Sequence, residues 1–136
     1  VQIGVPHLVV PLGRIPDGPI DDFCKPLRRL KALGPAGANV NLVSLSDTSS
    51  GAVRTFERGV EAETLACGSG SMASVFALRA TGKAEPQVSL RVSSGETLDI
   101  EILDLAPPDG TVRDVRLSGP AVKLFEGTFH ETILAP

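Results

Sequence analysis

Residues 67–82 read Cys67-Gly68-Ser69-Gly70-Ser71-Met72-Ala73-Ser74-Val75-Phe76-Ala77-Leu78-Arg79-Ala80-Thr81-Gly82, a glycine-rich turn that runs into an apolar stretch and ends on another glycine. This pattern predicts a helix over 69–81, closed by Gly82. Its apolar residues Met72, Ala73, Val75, Phe76, Ala77, Leu78 and Ala80 lie around nearly the whole circumference, not along one stripe. Such a helix has no face to give to water, so a sheet must wrap it. Its N-terminus also carries a thiol. The unpaired N–H groups and positive dipole end there favour negative charge, so Cys67 should ionise more readily than a free thiol, whose pKa is about 8.5. Gly68 and Gly70 let an anion approach the backbone with no Cβ in the way, and Ser69 adds a hydroxyl donor. A purely structural cysteine would need neither those glycines nor Glu57 and Arg58 a short way upstream.

Working outward, residues 3–12 form a β-rich run containing His7, and 20–33 form a helix candidate that Pro26 delays or interrupts and Gly34-Pro35 stops. Strand-like runs at 39–45 and 52–58 flank the polar turn Asp47-Thr48-Ser49-Ser50-Gly51, a hairpin that delivers Glu57 and Arg58 at its end. Beyond the apolar helix, 88–93 and 98–103 alternate apolar with polar residues around Ser94-Gly95-Glu96, the period of a half-buried hairpin. Pro107-Pro108-Asp109-Gly110 reads as a loop, and 112–117 and 121–125 read as two more strands around Ser118-Gly119-Pro120. The architecture that fits is one α+β domain over 1–136, a curved and mainly antiparallel sheet around a central helix.

Composition narrows the function. The 136 residues are 42% hydrophobic and 21% charged, as in a globular protein with a real core, and 13 basic residues against 16 acidic ones leave a net charge of −3. The one basic cluster, Arg28-Arg29 with Lys31, reads as a solvated helix face, so nucleic acid is not the expected partner. No apolar run approaches the ~20 residues that span a bilayer. No leader-like start is seen, and a cytoplasmic protein without membrane contact is expected. Cys24 and Cys67 make no disulfide framework, and no Cys/His spacing resembles a zinc site, so the expected chemistry uses neither metal nor cofactor.

Five short segments occur in order along nearly the whole chain: Gly4-Val5-Pro6-His7, Pro35-Ala36-Gly37-Ala38-Asn39-Val40-Asn41, Arg54-Thr55-Phe56-Glu57-Arg58-Gly59, the run from Glu63 to Gly70, and Ser118-Gly119-Pro120-Ala121 with Phe125-Glu126-Gly127. In this order and spacing the chain resembles the C-terminal half of the diaminopimelate epimerase family. The resemblance implies an enzyme of two pseudo-symmetric halves, each with one catalytic cysteine, that inverts an amino-acid α-carbon without pyridoxal phosphate or metal. It further implies that Cys67 is the acid/base of this half and Glu57 its paired carboxylate, that Asn39, Arg58, Gly68 and Ser69 bind substrate, and that His7 assists the cysteine of the other half. Val5 stands where the family usually has asparagine, Cys24 is followed by Lys25-Pro26 and not by glycine, and Glu57 lies one position further from Cys67 than is usual. On their own, His7 fits a structural histidine, Glu57-Arg58 a surface ion pair and Asn39 a backbone turn; their order with Cys67 makes them a site.

Two readings remain open. One is an isomerase subunit acting on diaminopimelate or a similar amino acid, its missing half supplied by a complementary chain or by a second copy in a homodimer. The other is a non-catalytic module that binds a small carboxylate or a protein partner through the old cleft.

Overall fold

A computed structural model describes residues 1–106 and 111–128. Its strands are β1 (Gln2–Ile3), β2 (Val5–Pro11), β3 (Asn39–Leu45), β4 (Ser50–Glu57), β5 (Ala62–Thr64), β6 (Gln87–Arg91), β7 (Thr97–Ala106) and β8 (Thr111–Ser118). Two α-helices accompany them, α1 (Asp21–Arg28) and α2 (Gly68–Ala80). The strands form one sheet in the order β1-β2-β3-β4-β6-β7-β8, with β5 paired to β4 off that path. Every pairing is antiparallel except β2 with β3 and β4 with β6. The fold is therefore α+β, with a curved and mainly antiparallel sheet.

α2 sits inside that curve. It packs against β1 and β2 at one end of the sheet, β3 and β4 in the middle, and β7 and β8 at the other end. Val75 and Leu78 join Val43, Val53, Val88, Leu90, Ile100 and Ile102 in one buried cluster, while Met72 and Phe76 pack against it from the rim. At roughly 1.5–3 kcal/mol for each fully buried aliphatic side chain, this cluster outweighs any single polar contact of the helix and fixes its axis. Ser71 and Ser74, both fully buried, return their hydroxyls to the carbonyls of Cys67 and Gly70 at 3.0 and 2.8 Å, so the wrapped surface carries polar groups without orphaning them. The helix closes as expected. Lys83 N–H donates to the Leu78 carbonyl and Gly82 N–H to that of Arg79, with Gly82 at φ +70°.

The opposite face of β2, β3 and β4 is also covered, which the sequence did not signal. Val40, Leu42 and Phe56 point away from α2 and bury against Ile20 and Cys24, with Leu8, Val10, Leu12, Ile15 and Leu27 around them. β3 lies between two layers and is buried from Asn39 through Val43. α1 is shorter than the run 20–33 predicts. Pro26 lies inside it, the chain leaves helical geometry after Arg28, whose carbonyl accepts from Ala38 N–H, and Lys31–Leu33 form a separate 3-10 turn.

The strand expected at 121–125 is absent: after Ser118 the chain is irregular, and Val122, Leu124 and Phe125 are exposed. Pro120 offers no N–H to continue a ladder. The loop expected at Pro107-Pro108-Asp109-Gly110 lies outside the described residues. No described helix is long and apolar enough to cross a membrane.

Candidate active site

Cys67 is the N-cap of α2. Its backbone is extended, its carbonyl accepts the first helical bond from Ser71 N–H at 2.9 Å, and its Sγ accepts the Gly70 N–H at 3.3 Å. Ser69 Oγ lies 3.5 Å from the same sulfur. A thiol in this place does what an aspartate or serine does at other helix starts, accepting an otherwise unpaired N–H. The N–H groups of Gly68 and Ser69, in the first turn, have no intrahelical partner and face the same end. Cys67, Gly68 and Ser69 thus form one continuous edge with a sulfur and several donors. Cys24 is the contrast. It is fully buried under β3 and β4, and burial pushes its thiol up to about 11.

The sheet supplies the floor beneath that edge. Strand alternation turns Asn39 and Asn41 of β3 and Thr55 of β4 toward α2, with Asn41 directly opposite Thr55. Thr55 Oγ1 donates to Asn41 Oδ1 at 3.0 Å, and Asn41 Nδ2 lies 3.2 Å from His7 Nδ1. All three side chains are buried. The helix rests directly on them at Gly70, where a Cβ would fall 2.2 Å from Asn41 Oδ1, 3.1 Å from Thr55 Oγ1 and 3.2 Å from Cys67 Sγ. A buried polar ladder therefore runs from His7 through Asn41 to the glycine whose N–H holds the thiol.

His7 Nε2 is buried and has no hydrogen-bond partner among the described residues. Burial, the largest cause, lowers the imidazole pKa, against the opposing pull of the Asn41 bond and of Glu57.

Glu57 ends β4 and Arg58 opens the turn after it, both half-buried, and the same alternation places Glu57 on the face of Thr55. They do not pair with one another, and neither has an ion-pair partner among the described residues. Asn39 Oδ1 accepts Arg58 N–H at 2.9 Å, so Asn39 holds the corner that carries both charges. A tight turn follows Glu57. Glu61 N–H returns to the Glu57 carbonyl at 2.8 Å, with Gly59 at φ +92° and Glu61 at φ +60°, after which Ala62 pairs opposite Glu57.

The structure brings Cys67, Gly68 and Ser69 together at the helix start, joins Asn39 to Arg58, and seats His7 opposite Asn39 across the β2–β3 pair. Asn41 and Thr55 were not singled out from sequence, and Gly70, read there as a place for an anion to approach, is also where the helix seats on the sheet. A signal for Asn41 was present, because polar residues at alternate positions of the otherwise apolar run Asn39-Val40-Asn41-Leu42-Val43 must face something polar. A broad groove lies elsewhere. It runs over the outer face of the sheet, between the loop 13–19, Arg54, Glu63, Arg91 and Ser93, and contains none of the expected site residues.

The chain matches the family described as diaminopimelate epimerase over residues 1–113. It is 44% identical over 108 residues to a diaminopimelate epimerase of Gemmatimonas aurantiaca, covering 79% of this chain and 39% of that protein. To the diaminopimelate epimerase of Aquifex aeolicus it is 35% identical over 136 residues, covering 98% of this chain and 46% of that one. The chain spans less than half the length of these curated relatives. A crystal structure of a Bacillus anthracis phenazine biosynthesis protein of the PhzF family aligns with TM-score 0.42 and 24% identity over 63% of this chain and 27% of that one.

Proposed function

The chain belongs to the diaminopimelate epimerase family, and from that membership we propose that it is one half of a cofactor-independent amino-acid epimerase, with Cys67 as the acid/base at the substrate α-carbon. The observation that carries this is the placement of Cys67 Sγ as the N-cap acceptor of a helix wrapped by the sheet. In this reading the unpaired N–H groups of Gly68 and Ser69 hold the α-carboxylate. Cys67 Sγ, as thiolate, takes the α-proton: the Cα–H bond breaks, an S–H bond forms, and the electron pair moves from Cα into the carboxylate that the helix donors stabilise. A second acid returns a proton to the opposite face. The thiols are thereby exchanged in protonation state, and a reverse turnover resets them.

Glu57 is the carboxylate paired with Cys67, and Asn39 and Arg58 shape the substrate corner. His7, with Nδ1 against Asn41 and Nε2 unpartnered, fits a group that serves the cysteine of the other half. Residues 1–136 form one domain, the C-terminal one of the family. The second half comes from a complementary chain or from a second copy, and the substrate is diaminopimelate or a similar amino acid in the cytoplasm.

The test is exchange of the α-proton for deuterium in D2O, followed by NMR with meso- and LL-diaminopimelate, for wild type and Cys67→Ala. Exchange that disappears in Cys67→Ala is expected. Absence of exchange in the wild type, both alone and mixed with a first-half chain, would sink the reading. Val5, standing where the family usually has asparagine, favours a second reading, a binding module without turnover; inversion that depends on Cys67 would end it.

A further inference from the structure

Arg54 and Glu63 take no part in the proton chemistry, yet they form a polar cluster on the outer face of the sheet. Arg54 Nε donates to Glu63 Oε1 at 2.7 Å, and Arg54 Nη2 pairs with Glu63 Oε2. Ser93 Oγ donates to Glu63 Oε1 at 2.6 Å, and Arg54 Nη1 donates to the Pro16 carbonyl at 2.7 Å. The Arg54–Glu63 pair thus ties together β4, β5, the loop 13–19 and the turn after β6. Both side chains are mostly covered, at 22% and 19% exposure, so the pair is not a freely solvated one.

The location of the cluster matters more than its strength. β5 has only three residues and pairs with β4 alone, so its own ladder holds it weakly. Yet β5 leads directly into the N-cap: only Thr64, Leu65 and Ala66 separate Glu63 from Cys67. The Leu65 carbonyl accepts Ser94 N–H at 2.9 Å, a second tie to the same turn that carries Ser93. On the other side of the sheet, Thr64 stands opposite Thr55, beside which Gly70 packs. α2 is held by its apolar core, whereas the segment that brings the sulfur to it is tied to the sheet through Glu63 and Leu65.

We infer that Glu63 is a positioning residue for the thiol: its clamp to Arg54 and Ser93 sets the register of β5 and so holds Cys67 Sγ where Gly70 N–H can reach it. The inference rests on the reading of Cys67 as the site thiol. Its test needs neither turnover nor a second half, so it can fail without that reading failing.

The experiment is the rate of alkylation by iodoacetamide at each cysteine of the full chain, followed by mass spectrometry at neutral pH, for wild type, Glu63→Gln, Ser93→Ala and Glu101→Gln. Cys24, buried and with its thiol pushed up to about 11, reports unfolding. Glu101, paired with Arg116 at 2.7 Å on β7 and β8, is the control ion pair away from β5. Glu63→Gln should slow Cys67 alkylation by about tenfold, the scale of losing outer support at a site, while Cys24 stays silent. Ser93→Ala should slow it by about threefold, the weight of one hydrogen bond, and Glu101→Gln should leave it unchanged. An unchanged Cys67 rate in folded Glu63→Gln overturns the inference, as does a rise of Cys67 in step with Cys24. If Glu63→Gln does not fold, Ser93→Ala decides alone by the same criterion.

Discussion

Gly70 is where the wrapped helix and the polar floor meet, and it tolerates nothing larger. A methyl group there would need the space of Asn41 Oδ1, 2.2 Å away, a buried oxygen already held by Thr55 Oγ1. Gly70→Ala should therefore cost about 1–3 kcal/mol as an overpacked contact, which a denaturant melt reads; stability equal to wild type would refute the contact. His7 gives a pH signature. Burial lowers its pKa in the folded state, so between that value and the unfolded value of about 6.5 the unfolded chain binds a proton that the folded chain does not. Stability should thus rise with pH through that window and fall as acid is added, with no contribution above about pH 6.5. Urea melts at about pH 7.5 and about pH 5 should show wild type losing stability that His7→Gln does not lose; parallel losses would refute it. Cys67, Gly68 and Ser69 were legible in the sequence because they are contiguous and the helix that follows announces its own start. Asn41 and Thr55 were not, because only the register of β3 on β4 makes them partners.

At the scale of elements, the strands with clean alternation were read nearly to their ends: β3 runs over the expected 39–45, and the β6–β7 hairpin buries Val88, Leu90, Ile100 and Ile102. β5 escaped notice because three residues cannot show a period. It exists because the turn before it is held, and Glu61 is the residue that holds it. At φ +60°, Glu61 is the described non-glycine residue in left-handed geometry, a conformation that costs roughly 1–2 kcal/mol. Its carboxylate accepts Arg28 Nε at 2.6 Å and Gly59 N–H at 3.1 Å, and this tie to α1 offsets the cost. Replacement should separate the two effects. Glu61→Ala and Glu61→Gly both lose the carboxylate, but only glycine relieves the backbone, so the alanine variant should be less stable by about 1 kcal/mol. Equal stabilities would mean that the turn relaxes out of its left-handed geometry.

For the whole molecule, the wrapped architecture was readable because a helix that is apolar on every side admits no other solution, whereas the layer of α1 over the outer face was not. α1 itself was read as a helix interrupted at Pro26, but its covering role rests on Ile20 and Cys24, which lie at or near its start and show no face of their own in the sequence. The chain ends β8 at Ser118 and then leaves Val122, Leu124 and Phe125 at 77%, 87% and 81% exposure. The proposed proton chemistry calls for a second acid on the opposite face of the substrate. How that acid is supplied has a kinetic signature. If two copies share one site, each turnover needs two intact Cys67 thiols. Mixing wild type with Cys67→Ala, with exchange of subunits, should then lower the rate of inversion as the square of the wild-type fraction, to about a quarter at equal amounts. If instead a complementary chain supplies the second thiol, each wild-type copy works independently, and the rate falls linearly to about a half. A quadratic curve whose specific activity also rises with protein concentration would assign the second acid to a second copy of Cys67, and a linear one would assign it to another polypeptide.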